Sequence, residues 1–209
     1  NDGTTAYAMS PYFGTWVSEP MRTGGTYSTF NAGALVRWSA PDEVKGFSAY
    51  HNTWASAPFA GATTATVVNQ EGYALLQTGA GADTLAYSAL RGTFLQLTLP
   101  GGTTWATGPD VAIASGPGYT FGYAPGADSF VSLPVVNLAQ QPQVAQGRFG
   151  SYALLDTGTS LVAFQGLTGA VAIAPTYVSG YAFAIGDVAA FAAAPGGGGQ
   201  AYSALTNTF

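Results

Sequence analysis

The stretch Thr93-Phe-Leu-Gln-Leu-Thr-Leu-Pro-Gly-Gly102 contains the pattern that determines the fold class. Within it Leu95, Leu97 and Leu99 alternate with polar residues, and the alternation stops at the proline and the two glycines. Successive side chains of a β-strand point to opposite faces of a sheet. The period of two therefore predicts a strand with one buried face, followed by a turn.

Similar alternation occurs at 34–38 and 181–185, and Gly, Pro, Asn or Asp interrupts the β-rich runs along the whole chain. Short strands separated by turn residues at regular spacing are typical of an all-β sandwich or barrel. We therefore predict an all-β protein, an antiparallel β-sandwich of jelly-roll-like topology. The one helical candidate is 187–195, where Asp187 is a suitable N-cap and Pro195 a suitable stop. An Ala-rich strand is the alternative there.

The chain is unusually poor in charge for its 209 residues. It contains five Lys and Arg against ten Asp and Glu, a formal net charge of −5, whereas 47% of the residues are hydrophobic. The hydrophobic content excludes disorder for most of the chain. The cations are not clustered, so the sequence predicts no nucleic-acid contact, and no apolar run is long enough to predict a membrane span. So few charges indicate a surface that is buried against a partner.

Cysteine is absent, which excludes disulfides and cysteine-based metal sites. We predict no metal and no cofactor. The chain opens at Asn1-Asp-Gly3 without an initiator methionine, which indicates a processed mature chain or a chosen boundary. Together with the scarcity of lysine, this predicts an extracellular or virion protein.

The run Pro195-Gly-Gly-Gly-Gly-Gln200 predicts a flexible linker. We therefore predict a body at 1–195, a glycine linker at 196–200 and a C-terminal strand or arm at 201–209. A tethered strand can pair with a sheet edge in its own domain or in a neighbouring copy. Three apolar side chains of this arm are the predicted partner-binding residues: Tyr202, Leu205 and Phe209.

Two internal similarities stand out. The segment 73–79 recurs at 152–158, and the segment 86–94 recurs at 201–209. The offsets of 79 and 115 residues differ, so they do not predict a simple tandem array. Reuse of one strand-and-turn solution and an old duplication remain as alternatives.

One segment, Ala153-Leu-Leu-Asp-Thr-Gly-Thr-Ser160, resembles the catalytic loop of pepsin-like aspartic peptidases. Ala184-Ile-Gly-Asp187 is similar to the apolar-apolar-glycine element that supports that loop. The resemblance implies that Asp156 is one of two carboxylates that share a proton and activate water. The structural alternative is a hairpin turn at Asp156-Thr157-Gly158 in which the carboxylate bonds its own backbone. The internal copy at Gln77-Thr78-Gly79 lacks the acid, which favours the turn.

Other motifs predict no catalytic site. His51 is the one histidine, and no Gly-x-Ser-x-Gly elbow accompanies it, so a Ser-His-Asp mechanism and a histidine zinc site are both disfavoured. The segment 79–85 matches most of a calcium-binding repeat, but such repeats bind Ca²⁺ only when stacked, so Asp83 and Asp128 are predicted to be turn residues. Four tryptophans are candidates for a sugar-stacking face or for core and interface anchors: Trp16, Trp38, Trp54 and Trp105.

These observations together predict a non-enzymatic structural protein that assembles with copies of itself. The predicted role is a capsid or virion-shell subunit, or an extracellular filament or layer subunit. The first alternative is a secreted module that binds carbohydrate or a host surface through exposed aromatic residues. The second is an acid peptidase that uses Asp156.

Overall fold

The computed structural model describes residues 4–39, 42–78, 83–135, 137–146, 151–176 and 180–209. Every regular element in these ranges is a β-strand, and all strand pairs are antiparallel, which confirms the all-β prediction. The chain divides into two compact units, Asn1–Gly102 and Thr103–Phe209. Each is described by itself below.

The first unit contains three antiparallel sheets, of two, four and four strands, and in each sheet the strands follow one another in chain order. The first sheet contains β1 (Thr5–Ser10) and β2 (Thr15–Pro20). The strands of the second are β3 (Thr26–Phe30), β4 (Gly33–Ser39), β5 (Asp42–Ser48) and β6 (Thr53–Pro58). Those of the third are β7 (Thr66–Asn69), β8 (Tyr73–Gln77), β9 (Asp83–Ser88) and β10 (Thr93–Thr98).

The second unit contains three further antiparallel sheets, of four, four and three strands. The fourth sheet contains β11 (Thr104–Gly108), β12 (Val111–Gly116), β13 (Tyr119–Ala124) and β14 (Ser129–Ser132). The strands of the fifth are β15 (Gln143–Val144), β16 (Tyr152–Asp156), β17 (Leu161–Gln165) and β18 (Val171–Ile173). Those of the sixth are β19 (Ala182–Ile185), β20 (Ala189–Ala193) and β21 (Gly199–Ser203).

Inner and outer strands of the four-stranded sheets differ in burial. The inner strands β16 and β17 are buried along their whole length, and their sequences YALLD and LVAFQ are almost continuously apolar, as expected for strands covered on both faces. The outer strand β10 alternates between half-buried and exposed positions over Gln96 to Thr98. The alternation that predicts the fold class from sequence therefore marks an outer strand, whereas the core lies in the inner pairs.

The predicted jelly-roll-like sandwich is wrong. A jelly roll needs long connections that place non-consecutive strands side by side. In all six sheets of the described residues, hydrogen-bonded neighbours are consecutive in the chain. The hairpin connections are too short to carry the chain from one sheet to another, so each sheet is a simple meander.

The helix predicted at 187–195 is also wrong, because Ala189–Ala193 forms β20 between two antiparallel neighbours. Ala190 and Ala192 are buried whereas Ala189 and Phe191 are exposed, which is the period of a strand. Pairing on both edges and burial of one face outweigh the modest helix preference of alanine.

The glycines predicted to be a flexible linker form the hairpin turn between β20 and β21. Gly196, Gly197 and Gly198 have φ angles of +84°, +105° and +85°, which side chains rarely allow. Beyond this turn, residues 201–209 continue the sixth sheet and its core. The structure thus places residues 201–209 inside the second unit, Thr103–Phe209.

Candidate functional site: the repeated hairpin turn

One hairpin turn occurs six times in the structure. It follows β1, β5, β9, β13, β17 and β21, and in each copy four loop residues separate the last residue of the strand from the residue that pairs with it. We call this the repeated turn. The copies begin 36 to 41 residues apart, a period typical of β-propeller and other repeat proteins. They span 10–15, 48–53, 88–93, 124–129, 165–170 and 203–208.

The last loop residue of every copy has a left-handed backbone. Gly14, Gly92 and Gly169 occupy this position in three copies, with φ angles of +64°, +71° and +72°. The other copies have Asn52, Asp128 and Asn207, with φ angles of 54°, 49° and 51°. These three are all of the non-glycine residues with positive φ in the described ranges. Asn and Asp tolerate this conformation better than other side chains, which explains why they alternate with glycine here.

Within each unit, hydrogen bonds join a turn to the next one along the chain. The Ser48 hydroxyl accepts a bond from the backbone N–H of His51 at 3.2 Å and donates to the Ala89 carbonyl of the following turn at 2.6 Å. The Ser10 hydroxyl donates in the same way to the Ala49 carbonyl. In the second unit the amide of Gln165 donates to the Ala204 carbonyl. The loops are therefore anchored to one another within each unit.

We predict that Gly92→Ala lowers the free energy of unfolding by about 1–2 kcal/mol, because it forces a side chain into the left-handed region. The nearest atom to an added Cβ is 3.4 Å away, so the cost is one of backbone conformation rather than of space. Gly92→Asn is the matched control, since asparagine occupies this position in two other copies. Urea unfolding should show a clearly smaller loss for it. Equal losses in the two variants would contradict the assignment.

Four of the six loops expose an apolar side chain at their second position, whereas the third has the half-buried Leu90 there and the fourth has Gly126. Tyr12 is 65% exposed, Tyr50 39%, Leu167 45% and Leu205 79%. Phe13, which follows Tyr12, is 55% exposed. In the first unit the rings of Tyr12 and Tyr50 stack, with centroids 5.1 Å apart and planes inclined by 18°. Within the first unit, Tyr12, Phe13 and Tyr50 thus place large apolar side chains together on adjacent loops, which is unusual for hairpin turns.

In the second unit a groove of about 370 Å³ lies between the fifth and sixth copies of the turn. The exposed Leu167, Val188 and Leu205 line it together with the polar side chains of Gln165 and Thr168. The second loop position holds the stacked Tyr12 and Tyr50 in the first unit. In the fifth and sixth copies it holds Leu167 and Leu205, which line an open apolar groove instead.

The structure separates the three predicted partner-binding residues. Tyr202 is 2% exposed, its ring packs between those of Tyr152 and Phe209, and its hydroxyl donates to Asn207 Oδ1 at 2.8 Å. Burial, reinforced by the neighbouring Tyr152, raises the pKa of Tyr202 to about 12. Phe209 is half-buried against the same cluster. Leu205 alone projects from the repeated turn.

Asp156 is a buried turn residue in the structure. Its Oδ1 accepts the Gly158 backbone N–H at 2.9 Å, and its Oδ2 accepts the Gln140 amide at 3.1 Å. The hydroxyl of Thr157 accepts the N–H of Ser160 at 2.9 Å and completes the turn. The interpretation of this motif as a self-bonded hairpin turn therefore agrees with the geometry. The described residues contain no cluster of three or more His, Cys, Asp or Glu side chains able to hold a metal.

The remaining motif residues also have structural roles. Asp83 accepts a bond from the Thr98 hydroxyl at 2.8 Å, and the preceding part of the calcium-repeat motif, 79–82, lies outside the described residues. His51 is the third loop residue of a repeated turn, with Nε2 2.9 Å from the Leu90 carbonyl. Trp38 is 3% exposed and donates to the Arg22 carbonyl, whereas Trp16 is 67% exposed.

The repeat could have been found from the sequence. The offsets of 79 and 115 residues between the two pairs of similar segments correspond to two and three periods of the repeated turn. The signal begins with a Ser, Ala or Gln at the end of the strand. An aromatic residue or Met immediately precedes this residue, and Thr, Ser or Ala follows it five positions later. The six residues at that preceding position are Met9, Phe47, Tyr87, Tyr123, Phe164 and Tyr202.

No protein-family model and no curated protein sequence matches the chain. Its structure is similar to that of human WBSCR16 at 11% identity and a TM-score of 0.42, over 90% of this chain and 65% of that one. Kluyveromyces lactis Hsv2 matches at 8% identity and a TM-score of 0.37, over 87% and 60% of the two chains. Prp20p from Saccharomyces cerevisiae, a structure described with binding to Gsp1p and histones, matches at 10% and 0.37, over 85% and 56%. The chain thus spans less than two thirds of the length of each of these three proteins.

None of these three proteins is described as a shell or filament subunit. The prediction of a self-assembling capsid, virion or filament subunit is therefore wrong, and so are the secreted glycan-binding alternative and the extracellular or virion location. The physical error lies in the predicted arm, because residues 201–209 pack in their own unit and bury Tyr202 there. Within the described ranges, no helix is long and apolar enough to cross a membrane.

Proposed function

We propose that the chain is a non-enzymatic repeat domain that binds other proteins through the loops of its repeated turns. The observation that carries this proposal is the exposure of large apolar side chains in the loops of the repeated turns, above all Tyr12, Phe13 and Tyr50 in the first unit. An exposed apolar patch on an otherwise well-packed unit is typical of a protein-interaction surface.

The physical properties of the patch favour binding. Tyrosine and phenylalanine supply a large contact area with few rotatable bonds, and aromatic residues are enriched among the side chains that contribute most to interface affinity. The stack of Tyr12 on Tyr50 restricts both rings before any partner arrives. The hydrogen bonds from Ser10 and Ser48 to the next loop restrict the backbone. A pre-organised surface loses less entropy on binding.

The low charge of the chain fits the same role. Charged residues are depleted in the cores of protein interfaces, and the chain has only five Lys and Arg and ten Asp and Glu. The one carboxylate with a catalytic-loop resemblance, Asp156, is occupied in its own turn. The histidine His51 bonds a loop carbonyl. These contacts support a role without catalysis.

We further propose that the four-stranded sheets are blades of the β-propeller type. A blade is a four-stranded antiparallel meander, and a repeat of about 40 residues is typical of such proteins. The second to fifth sheets have this topology, and the copies of the repeated turn recur every 36 to 41 residues. Blade loops are the common position of binding residues in such folds because they project from a rigid scaffold.

The test is a selection of random peptides displayed on phage against the full chain, followed by affinity measurements on the enriched peptides. We expect the double variant Tyr12→Ser, Phe13→Ser to bind these peptides at least tenfold more weakly, since it removes two exposed aromatic anchors. Tyr27→Ser is the matched control, because Tyr27 is 47% exposed on β3 and lies outside the turns. No enriched peptide, or equal affinity of the double variant and the wild type, would overturn the proposal.

A further inference from the structure

A cleft lies in the second unit, at the opposite end of β13 from the repeated turn. It has a volume of about 520 Å³ and is enclosed by the β12–β13 hairpin and the loop 137–141. Volumes of about 300–1,000 Å³ are typical of ligand sites. The described residues that line it include three side-chain amides and two hydroxyls but no charged group. We call it the polar cleft, and it shares no residue with the repeated turns.

The loop wall of the polar cleft is held in place by hydrogen bonds. The backbone N–H of Ala139 donates to the Asp156 carbonyl at 2.8 Å. The side-chain amide of Gln140 donates to Asp156 Oδ2 at 3.1 Å and to the Tyr181 carbonyl at 3.3 Å. Both N–H groups of the Gln140 amide are therefore used, which leaves its Oε1 as an oriented acceptor. The buried Asp156 carboxylate thus positions a group that lines the cleft.

The hairpin wall is rigid and carries a buried hydroxyl. Pro117 and Gly118 form its turn, with a fixed proline ring and a φ angle of +83° at Gly118. Thr120 follows on β13 and lines the cleft, although the residue is only 2% exposed. Its hydroxyl has no hydrogen-bond partner among the described residues. Because buried polar groups are normally paired, this hydroxyl is available to a ligand in the cleft.

We propose that the polar cleft binds an uncharged peptide segment through the main-chain amides of that segment. A main-chain N–H of the segment donates to Gln140 Oε1, and a main-chain carbonyl accepts the Thr120 hydroxyl. The exposed amides of Asn137 and Gln141 can donate or accept beside them.

The chemistry of the lining selects this class of ligand. A phosphate, carboxylate or ammonium group would lose its water in the cleft without gaining an opposite charge, which is costly. A main-chain amide carries one donor and one acceptor and no charge, so it matches the fixed acceptor of Gln140 and the hydroxyl of Thr120. The half-buried Leu138 and the exposed Pro117 supply apolar contact to the side chains of the segment.

The probes are capped tripeptides of alanine, serine, asparagine and leucine, which have main-chain amides and no charge. Binding to the full chain is followed through the NMR shifts of its backbone and side-chain amides. At millimolar peptide we expect saturable shifts that cluster at 115–120 and 137–141 and include the Gln140 side-chain amide. The same peptides with N-methylated main-chain amides should not produce them, because they cannot donate to Gln140 Oε1. Absence of saturable shifts in the cleft, or equal binding of the N-methylated peptides, would overturn the proposal.

Variants of the chain locate the site. Thr120→Val keeps the shape of the buried side chain and removes its hydroxyl, and we expect about three- to tenfold weaker binding, the range for loss of one neutral hydrogen bond. Thr66→Val makes the same change at an exposed position on β7 in the first unit and should bind like the wild type. The Tyr12→Ser, Phe13→Ser variant should also retain binding, which separates this site from the loop surface. Unchanged affinity of Thr120→Val, or loss of binding in the Tyr12→Ser, Phe13→Ser variant, would place the peptides elsewhere and contradict the assignment.

Discussion

Tyr87→Ala should lower the free energy of unfolding by about 3–5 kcal/mol, the range found for removal of a large aromatic side chain from a core. The Tyr87 ring is fully buried in β9 and packs against Phe94 at 4.7 Å and Phe30 at 6.3 Å between ring centroids. It also lies against Gly46, where an added Cβ would come within 2.5 Å of the ring. Domains are stable by only about 5–15 kcal/mol, so the loss is a large fraction of the total.

The control for this prediction is Tyr87→Phe. The Tyr87 hydroxyl is buried and has no hydrogen-bond partner among the described residues, and burial raises the pKa of Tyr87 above its usual value. Removal of an unsatisfied buried polar group costs little or stabilises a protein. Urea unfolding should therefore place Tyr87→Phe within about 1 kcal/mol of the wild type. A loss below about 1 kcal/mol for Tyr87→Ala would show that the ring is not packed as described.

The second unit should lose stability in alkali. The ordinary pKa of tyrosine is 10. Burial raises the pKa of Tyr152 to about 12 and the pKa of Tyr202 to about 12. Between these two values the unfolded chain loses a proton from each tyrosine while the folded chain keeps it. Because the unfolded state binds fewer protons there, stability falls as the pH rises from 10 to about 12. Each tyrosine contributes a slope of about 1.4 kcal/mol per pH unit in that window.

This pH dependence is measured as the urea midpoint at several pH values, with tyrosinate absorbance as an independent signal. Tyr202→Phe removes one titrating group and should make the fall shallower above pH 10, although it also loses the bond to Asn207 at neutral pH. Tyr27→Phe makes the same chemical change at a position that is 47% exposed and lies outside this cluster, and it is the control variant. An unchanged slope in Tyr202→Phe would contradict the assignment of the alkaline loss to this cluster.

Local sequence patterns predict some strands of this protein and mislead at others. The alternation of Leu95, Leu97 and Leu99 correctly predicts a strand, because the pattern arises from the strand itself, whereas its place at the edge of the sheet is known only from the structure. The alanine-rich run at 189–193 misleads the prediction of secondary structure, because alanine is small enough for both a helix and a buried strand. Pairing with the two neighbouring strands decides that this segment is a strand. The glycines at 196–198 mislead in a similar way, since positive φ in a tight turn and flexibility in a linker demand the same residue.

The candidate site was partly within reach of the sequence. The recurrence of 86–94 at 201–209 contains one copy of the repeated turn in each segment, and a search at the common period would have located the other copies. The exposure of Tyr12 and Tyr50 was beyond such a search, because tyrosine occurs at buried positions of the same repeat as well.

The amino-acid sequence by itself determined that this protein is all-β, with short strands broken by Gly, Asn and Asp turns, since both properties depend on the backbone preferences of neighbouring residues. Only the tertiary structure decided which side chains are available to a partner. Tyr202 and Leu205 are three residues apart in one apolar segment, yet one is 2% exposed and the other 79%. The Tyr202 side chain lies in the buried cluster beside β21 and packs against the Tyr152 ring. Leu205 lies in the loop that follows β21. That difference is set by packing between elements far apart in the chain, which local patterns do not encode.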